Sequence, residues 1–230
     1  MVENDLEVRF VAASDRSLLV YFGDVISPGV QRRVAGLSRA LQKRPVEGSL
    51  NIHPAYTSVL VVFDALNTDH AAIQREIELR LAETDEIAPS RTVEIPVCYG
   101  AEFGPDLPFV AALSGLTPED AAELHASAEY TAAFLGFAPG FAYLSGLPAE
   151  LSAPRLDKPR QRVPAGSVGI AGLQTAVYPF ATPGGWRLIG RTPLRMFQAD
   201  RDPMSVVQIG DRVRFTPVSE ERFRELERTA

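Results

Sequence analysis

Cysteine is almost missing from this chain. Cys98 is the only one in 230 residues, which excludes an internal disulfide and fits a reducing compartment. Between Val97 and Tyr99 it reads as a buried strand residue rather than a nucleophile. Histidine is nearly as scarce. His53, His70 and His125 stand far apart, and the single close pairing with a carboxylate is His125 with Glu129 at helical i,i+4 spacing, so no metal site is indicated. Lysine occurs only as Lys43 and Lys158 against 21 arginines, and tryptophan only as Trp186. No apolar run approaches the roughly 18 residues needed to cross a bilayer. The first residues, Met1-Val-Glu-Asn-Asp-Leu-Glu, are acidic where a signal peptide is basic, so a cytoplasmic location is expected. The glycine-rich segment Gly136-Phe-Ala-Pro-Gly-Phe has neither the lysine of a phosphate loop nor dinucleotide-binding spacing.

What is present is a globular composition. With 46% hydrophobic residues the chain can bury a sizeable core, and its length allows one large domain or two modest ones. Residues 8–12 and 17–22 alternate as strands. Ser27-Pro-Gly then opens a helix to about residue 42, with Val30, Val34, Leu37 and Leu41 on one face. Two further strands, 49–53 and 57–64, precede a helix capped by Asp69 and carrying Ile73, Ile77 and Leu81. This α+β unit resembles a split β-α-β arrangement. The polar stretch 83–90 reads as a linker, which places an N-terminal domain at 1–88 and a second domain at 89–230. The second begins with a strand from Thr92, continues with helices over 105–113 and 117–126, and turns to short strands from Tyr130. A closing strand is expected over 208–217 and a charged helix over 219–228.

The segment 136–193 holds 9 of the 17 glycines and 8 of the 18 prolines, wrapped around Trp186. Turn residues at that density, alternating with Val, Ile, Phe and Tyr, suit short strands joined by tight loops. The segment carries a net charge of +4 in a chain of net charge −6, whose pI is 5.2. A cationic, glycine-lined surface on an acidic protein points to a small anionic substrate, and the lack of a broad basic face argues against nucleic acid. Arg160, Arg162 and Arg191 are candidate substrate-binding residues, each read either as an anion clamp or as a solvated surface charge. Gln174, Thr175 and Tyr178 offer neutral hydrogen-bonding groups, and alternation places Gln174 and Tyr178 on one face of a strand with Thr175 opposite. Phe137, Pro139, Gly140, Phe141, Gly166, Ser167, Gly184, Gly185 and Trp186 are candidates for shaping the site or contacting a partner. Trp186 is either a core plug or a stacking wall. Ser167 lies in the wrong register for a nucleophile elbow, because position 165 is alanine, and reads as a turn serine. His125 and Tyr130 are candidate catalytic residues, with a structural hydrogen bond as the alternative role for His125.

Taken together, Ile95-Pro-Val-Cys-Tyr-Gly, Glu102-Phe-Gly-Pro-Asp106, His125 with Glu129-Tyr130-Thr131, Gly136-Phe-x-Pro-Gly-Phe-x-Tyr-Leu144, Arg162-Val-Pro-Ala-Gly-Ser-Val-Gly-Ile-Ala-Gly172, Gln174-Thr175 and Thr182-Pro-Gly-Gly-Trp-x-Leu-Ile-Gly-Arg-Thr-Pro193 resemble the allophanate hydrolase subunit 1 family, also called KipI-like. That family includes the B-type subunits of prokaryotic 5-oxoprolinases. The resemblance implies an N-terminal α+β domain followed by a cyclophilin-like β-barrel. It implies a C-type partner subunit (allophanate hydrolase subunit 2 type) and a separate A-type subunit (LamB/YcsF type). With these the chain would share in ATP-dependent opening of 5-oxo-L-proline to L-glutamate, the ATP being used by the complex rather than held by this chain alone. Two other roles are implied by the same family: a piece of an allophanate- or urea-handling enzyme, and an inhibitor of a sensor histidine kinase. Ala142 departs from the family pattern, which commonly has proline there, and should loosen one turn.

Overall fold

The computed structural model describes residues 8–82 and 91–229. The chain divides into two compact units, Met1–Ser90 and Arg91–Ala230. The linker expected over 83–90, and with it the boundary at 88/89, lies outside the described residues, as does the acidic stretch 1–7.

The first unit runs β1 (Arg9–Ser14), β2 (Ser17–Tyr21), α1 (Pro28–Lys43), β3 (Ser49–Pro54), β4 (Ser58–Phe63) and α2 (His70–Ala82). Ser27 starts α1 by accepting the Val30 N–H on its side chain at 3.3 Å, and Pro28 occupies the first turn, where a missing N–H leaves nothing unpaired. The recurrence of Val30, Val34, Leu37 and Leu41 every three or four residues buries one face in a core shared with Val20, Val59 and Val61. Asp69 starts α2 by accepting the Ala72 N–H at 2.8 Å, and Ile73 and Ile77 complete the same core. The sheet order is β1-β2-β4-β3. Since β2 and β3 both run antiparallel to β4, they are parallel to each other with β4 between them, which is the split β-α-β arrangement.

The second unit contains β5 (Thr92–Tyr99), α3 (Leu107–Leu113), α4 (Pro118–Ser127), β6 (Tyr130–Leu135), β7 (Ala142–Ser145), β8 (Arg160–Val163), β9 (Ser167–Ala171), β10 (Gln174–Val177), β11 (Thr182–Gly184), β12 (Arg187–Arg191), β13 (Arg212–Pro217) and α5 (Glu220–Thr229). Seven strands close into a barrel in the order β10-β7-β6-β13-β5-β12-β9, while β8 and β11 form a separate two-stranded sheet. The barrel is sealed by a parallel pairing between β5 and β13, with Val93 opposite Val213 and Ile95 opposite Phe215. Helices α3 and α4 share the barrel core through Leu107, Val110 and Ala121.

The closing strand begins at Arg212 rather than at 208. The Asp211 carboxylate accepts the Gln208 N–H at 2.8 Å and an Arg91 N–H at 2.7 Å, and Gly210 has a φ of 83°, so those residues form a tight turn before the strand starts. Helix α3 likewise starts later than sequence suggests. Asp106 stands at its N-cap without capping it, because its carboxylate is engaged elsewhere.

Candidate functional site

The loop between β6 and β7 is closed by the Gly136 N–H donating to the Phe141 carbonyl at 3.1 Å. Within it Phe137 adopts a φ of 67°, a left-handed conformation that non-glycine residues seldom take, and its ring is 62% exposed. Phe141 turns inward and is buried, joining Val163, Ala176, Tyr178, Trp186 and Leu188 in a cluster distinct from the main barrel core. The rings meet mostly edge to face, the favoured geometry for aromatic pairs: Phe141 lies 5.6 Å from Trp186 and 5.3 Å from Tyr178, Tyr143 lies 5.8 Å from Trp186, and Phe137 lies 5.2 Å from Phe141. Gly184 makes room for Tyr178, since a Cβ there would fall 2.5 Å from its hydroxyl oxygen. Gly140 and Gly166 supply positive φ in the neighbouring turns, Gly185 follows Gly184, and Pro139 is exposed beside Phe137. Trp186 is only 5% exposed, yet the Arg155 guanidinium lies 5.9 Å from its ring centre.

Arginine in this region divides into engaged and free. Arg160 donates twice from one guanidinium nitrogen to the Asp106 carboxylate, at 2.8 and 2.9 Å, and that same carboxylate accepts the Leu188 N–H at 2.7 Å. Asp106 is 9% exposed, so the pair ties α3 to β12 and to β8 in a largely dry setting. Removing Asp106 takes the acceptor from the Leu188 N–H and leaves Arg160 only the Trp186 carbonyl, at 3.4 Å, whereas removing Arg160 leaves Asp106 its bond from Leu188. Asp106→Ala is therefore expected to lower stability by about 2–4 kcal/mol, with Arg160→Gln milder. Chemical denaturation of the two variants checks this, and an Asp106→Ala variant as stable as the parent would contradict it. Arg191 donates through Nε to the Ala165 carbonyl at 2.8 Å and sits 3.5 Å from Glu227 of α5. Arg162, in contrast, projects into solvent with no hydrogen bond or ion pair among the described residues.

A second polar feature lies inside the unit. His125 of α4 is fully buried against Phe215 and Tyr130. Its Nδ1 is 2.8 Å from the Tyr99 hydroxyl and its Nε2 is 3.1 Å from the Thr175 hydroxyl. Thr175 spends its own proton on the Gly169 carbonyl at 3.1 Å, so Nε2–H donates to Thr175 and Nδ1 accepts from Tyr99. Burial drives the His125 pKa down to about 3 and the Tyr99 and Tyr130 pKa values up, which keeps all three rings neutral. The Tyr130 hydroxyl is also occupied, donating to the His125 carbonyl at 2.8 Å.

The structure thus distributes the candidate residues between two environments. Phe141, Tyr178 and Trp186 cluster together, with Phe137 at their exposed rim. Thr175 points the opposite way, toward His125, while Gln174 is half-buried at the start of β10 beside the exposed Leu173. Ser167 is buried in β9 at 1% exposure. His125 and Tyr130 are both 0% exposed, so neither lies open to solvent with the arginines. Sequence reasoning gave no role to Asp106, Tyr99, Tyr143 or Arg155. Asp106 and Tyr99 meet their partners only through long-range contacts, and Arg155 is set apart from Arg162, which is also unpaired, only by its place over the Trp186 ring. Among the described residues, no group of three or more His, Cys, Asp and Glu side chains could hold a metal, and no helix is long and apolar enough to cross a membrane.

A split β-α-β unit together with a closed barrel that carries an arginine-rimmed aromatic cluster defines a two-unit α+β protein. The chain belongs to the family described as carboxyltransferase domain, subdomain C and D, whose model matches residues 8–207. It is 42% identical over 221 residues to the B-type subunit of the 5-oxoprolinase from Bacillus subtilis (strain 168), covering 91% of this chain and 92% of that one. A conserved uncharacterised protein from Pyrococcus horikoshii is 45% identical with a TM-score of 0.58, over 94% of this chain and 100% of that one. The Kluyveromyces lactis urea carboxylase shares the fold, with a TM-score of 0.75 at 21% identity, over 97% of this chain but only 23% of the larger enzyme.

Proposed function

We propose that the chain is the B-type subunit of an ATP-dependent 5-oxoprolinase, opening 5-oxo-L-proline to L-glutamate together with a C-type subunit and an A-type subunit. The likeness to a relative named as that subunit carries the reading, because it spans both units and nearly the whole of both chains. The surface chemistry agrees. Exposed arginine beside aromatic rings suits a small ring bearing a carboxylate, since a guanidinium fork matches a carboxylate and the rings exclude water on one side. Of the neutral groups in the glycine-rich segment, Gln174 is partly accessible while Thr175 is committed to His125 and Gly169. The lactam is an unstrained amide and resists hydrolysis at neutral pH; transferring a phosphoryl group from ATP to its oxygen supplies a leaving group. No lysine-bearing phosphate loop occurs in this chain, so the nucleotide is assigned to the assembled complex.

Co-expression with A- and C-type subunits, followed by assay of ADP and glutamate release from 5-oxo-L-proline and ATP, tests the reading. Coupled release that requires all three chains is the expected result. A complex inert toward 5-oxoproline and active on urea-derived substrates would replace it with the urea-handling role. Failure to form any complex, with binding to a histidine-kinase dimerisation domain, would replace it with the inhibitor role.

A further inference from the structure

We propose that Arg155, held over Trp186 beside Tyr143, receives the carboxylate of a small amide-bearing acid and so sets the specificity of the barrel surface. This deepens the functional reading above and rests on it only for the identity of the acid.

Three observations carry the assignment. Arg155 is exposed and has no hydrogen bond or ion pair among the described residues, whereas Arg160 is bound to Asp106, Arg191 to the Ala165 carbonyl and Glu227, and Arg187 to the Pro154 carbonyl at 3.1 Å. An unpaired guanidinium keeps its N–H fork available for a bidentate acceptor. Secondly, the backbone that carries it is pinned on both sides. The Gly172 N–H donates to the Ala153 carbonyl at 2.8 Å, Arg187 holds the Pro154 carbonyl, and the Leu156 N–H donates to the Gly185 carbonyl at 2.8 Å. A solvent-facing cation on an anchored segment loses less freedom when it closes on a ligand than one on a mobile loop. Thirdly, the ring beneath it is fixed. Trp186 packs edge to face on both Phe141 and Tyr143, which also touch each other at 4.9 Å, and Tyr143 stacks on Phe134 at 4.4 Å with 18° between planes. The Tyr143 hydroxyl has no partner among the described residues. Burial raises its pKa while the Arg155 charge opposes the rise, so a phenol donor and a guanidinium stand together at the rim.

Trp186 is the only tryptophan, so its fluorescence in the full-length chain reports on this corner directly. Titration with 5-oxo-L-prolinate is expected to give a saturable change in the parent, while 2-pyrrolidinone, the same ring without a carboxylate, gives none. Arg155→Gln should weaken binding at least about tenfold, as loss of a charge-assisted hydrogen bond does. Arg155→Lys should recover part of the loss, and Tyr143→Phe should weaken binding less than Arg155→Gln does. The same order should appear in KM for the assembled complex, with kcat little changed.

Parental affinity in Arg155→Gln, equal response to 2-pyrrolidinone, or no saturable response in the parent to any carboxylate would overturn the assignment. The two readings fail separately. If the parent binds allophanate instead of 5-oxo-L-prolinate and Arg155→Gln abolishes that binding, the oxoprolinase reading falls and Arg155 keeps its role. If the complex hydrolyses 5-oxoproline and Arg155→Gln leaves KM unchanged, the reverse holds.

Discussion

Replacing Gly104 by alanine is expected to prevent the barrel unit from folding. A Cβ built at this position would lie 1.9 Å from the Ile189 carbonyl oxygen, 2.1 Å from its carbon and 2.7 Å from the Gly190 nitrogen. All three are backbone atoms, so no side-chain rotation can relieve the overlap. The turn cannot retreat, because it is laced to its neighbours: the Gly104 N–H donates to Gly100 at 2.7 Å, the Gly100 N–H to Ile189 at 3.1 Å, and the Asp106 N–H to Leu188 at 2.9 Å. Nor can β12 give way, since it pairs with β5 on one side and β9 on the other. The penalty is expected to exceed about 4 kcal/mol, a large share of the roughly 5–15 kcal/mol that typically holds a folded domain together. Gly104→Ala should therefore appear in the insoluble fraction or lose the cooperative unfolding transition of the second unit. A variant that melts within a few degrees of the parent would show that the turn can move after all.

Gly104 also marks where sequence stops being informative. Helices α1 and α2 are legible because their causes are local: a serine or aspartate cap followed by apolar residues every three or four positions. The alternation in β10 is legible for the same reason, placing Thr175 opposite Tyr178. What decides the barrel is not local. The turn that leads into α3 packs on β12, the parallel pairing of β5 with β13 joins opposite ends of the unit, and the Asp106 carboxylate, at the start of α3, holds Arg160 and Leu188 instead of capping the helix. Composition sets 136–193 apart from the rest of the chain, but it cannot sort the arginines there. Whether a guanidinium is a structural tie or an available clamp depends on which carboxylate the fold brings to it, and Asp106 lies outside the glycine-rich segment altogether.

Stability should fall as the medium is acidified below pH 6.5, with His125 as a principal cause. Its imidazole is fully buried, and burial lowers its pKa from 6.5 to about 3. The folded-state value lies below the unfolded one, so between these two pH values the unfolded chain holds a proton that the folded chain refuses. The stabilisation is complete above pH 6.5 and is lost as pH falls toward 3, at about 1.4 kcal/mol per pH unit for one proton. The hydrogen bonds give the refusal a structural reason. Nδ1 is the acceptor for Tyr99, and a proton added there would face a hydroxyl hydrogen inside the core. Urea denaturation from pH 7 to pH 4 tests this against His125→Gln. The variant should be weaker at pH 7, having lost its links to Tyr99 and Thr175, but its stability should depend less on pH, so that the two profiles converge in acid. Parallel profiles would remove His125 as the cause. The same geometry bears on chemistry. A buried imidazole with both nitrogens engaged stays neutral across the pH range in which an unperturbed histidine titrates, so any break near pH 6.5 in the kcat/KM profile of the assembled complex is expected to persist in a His125→Gln complex.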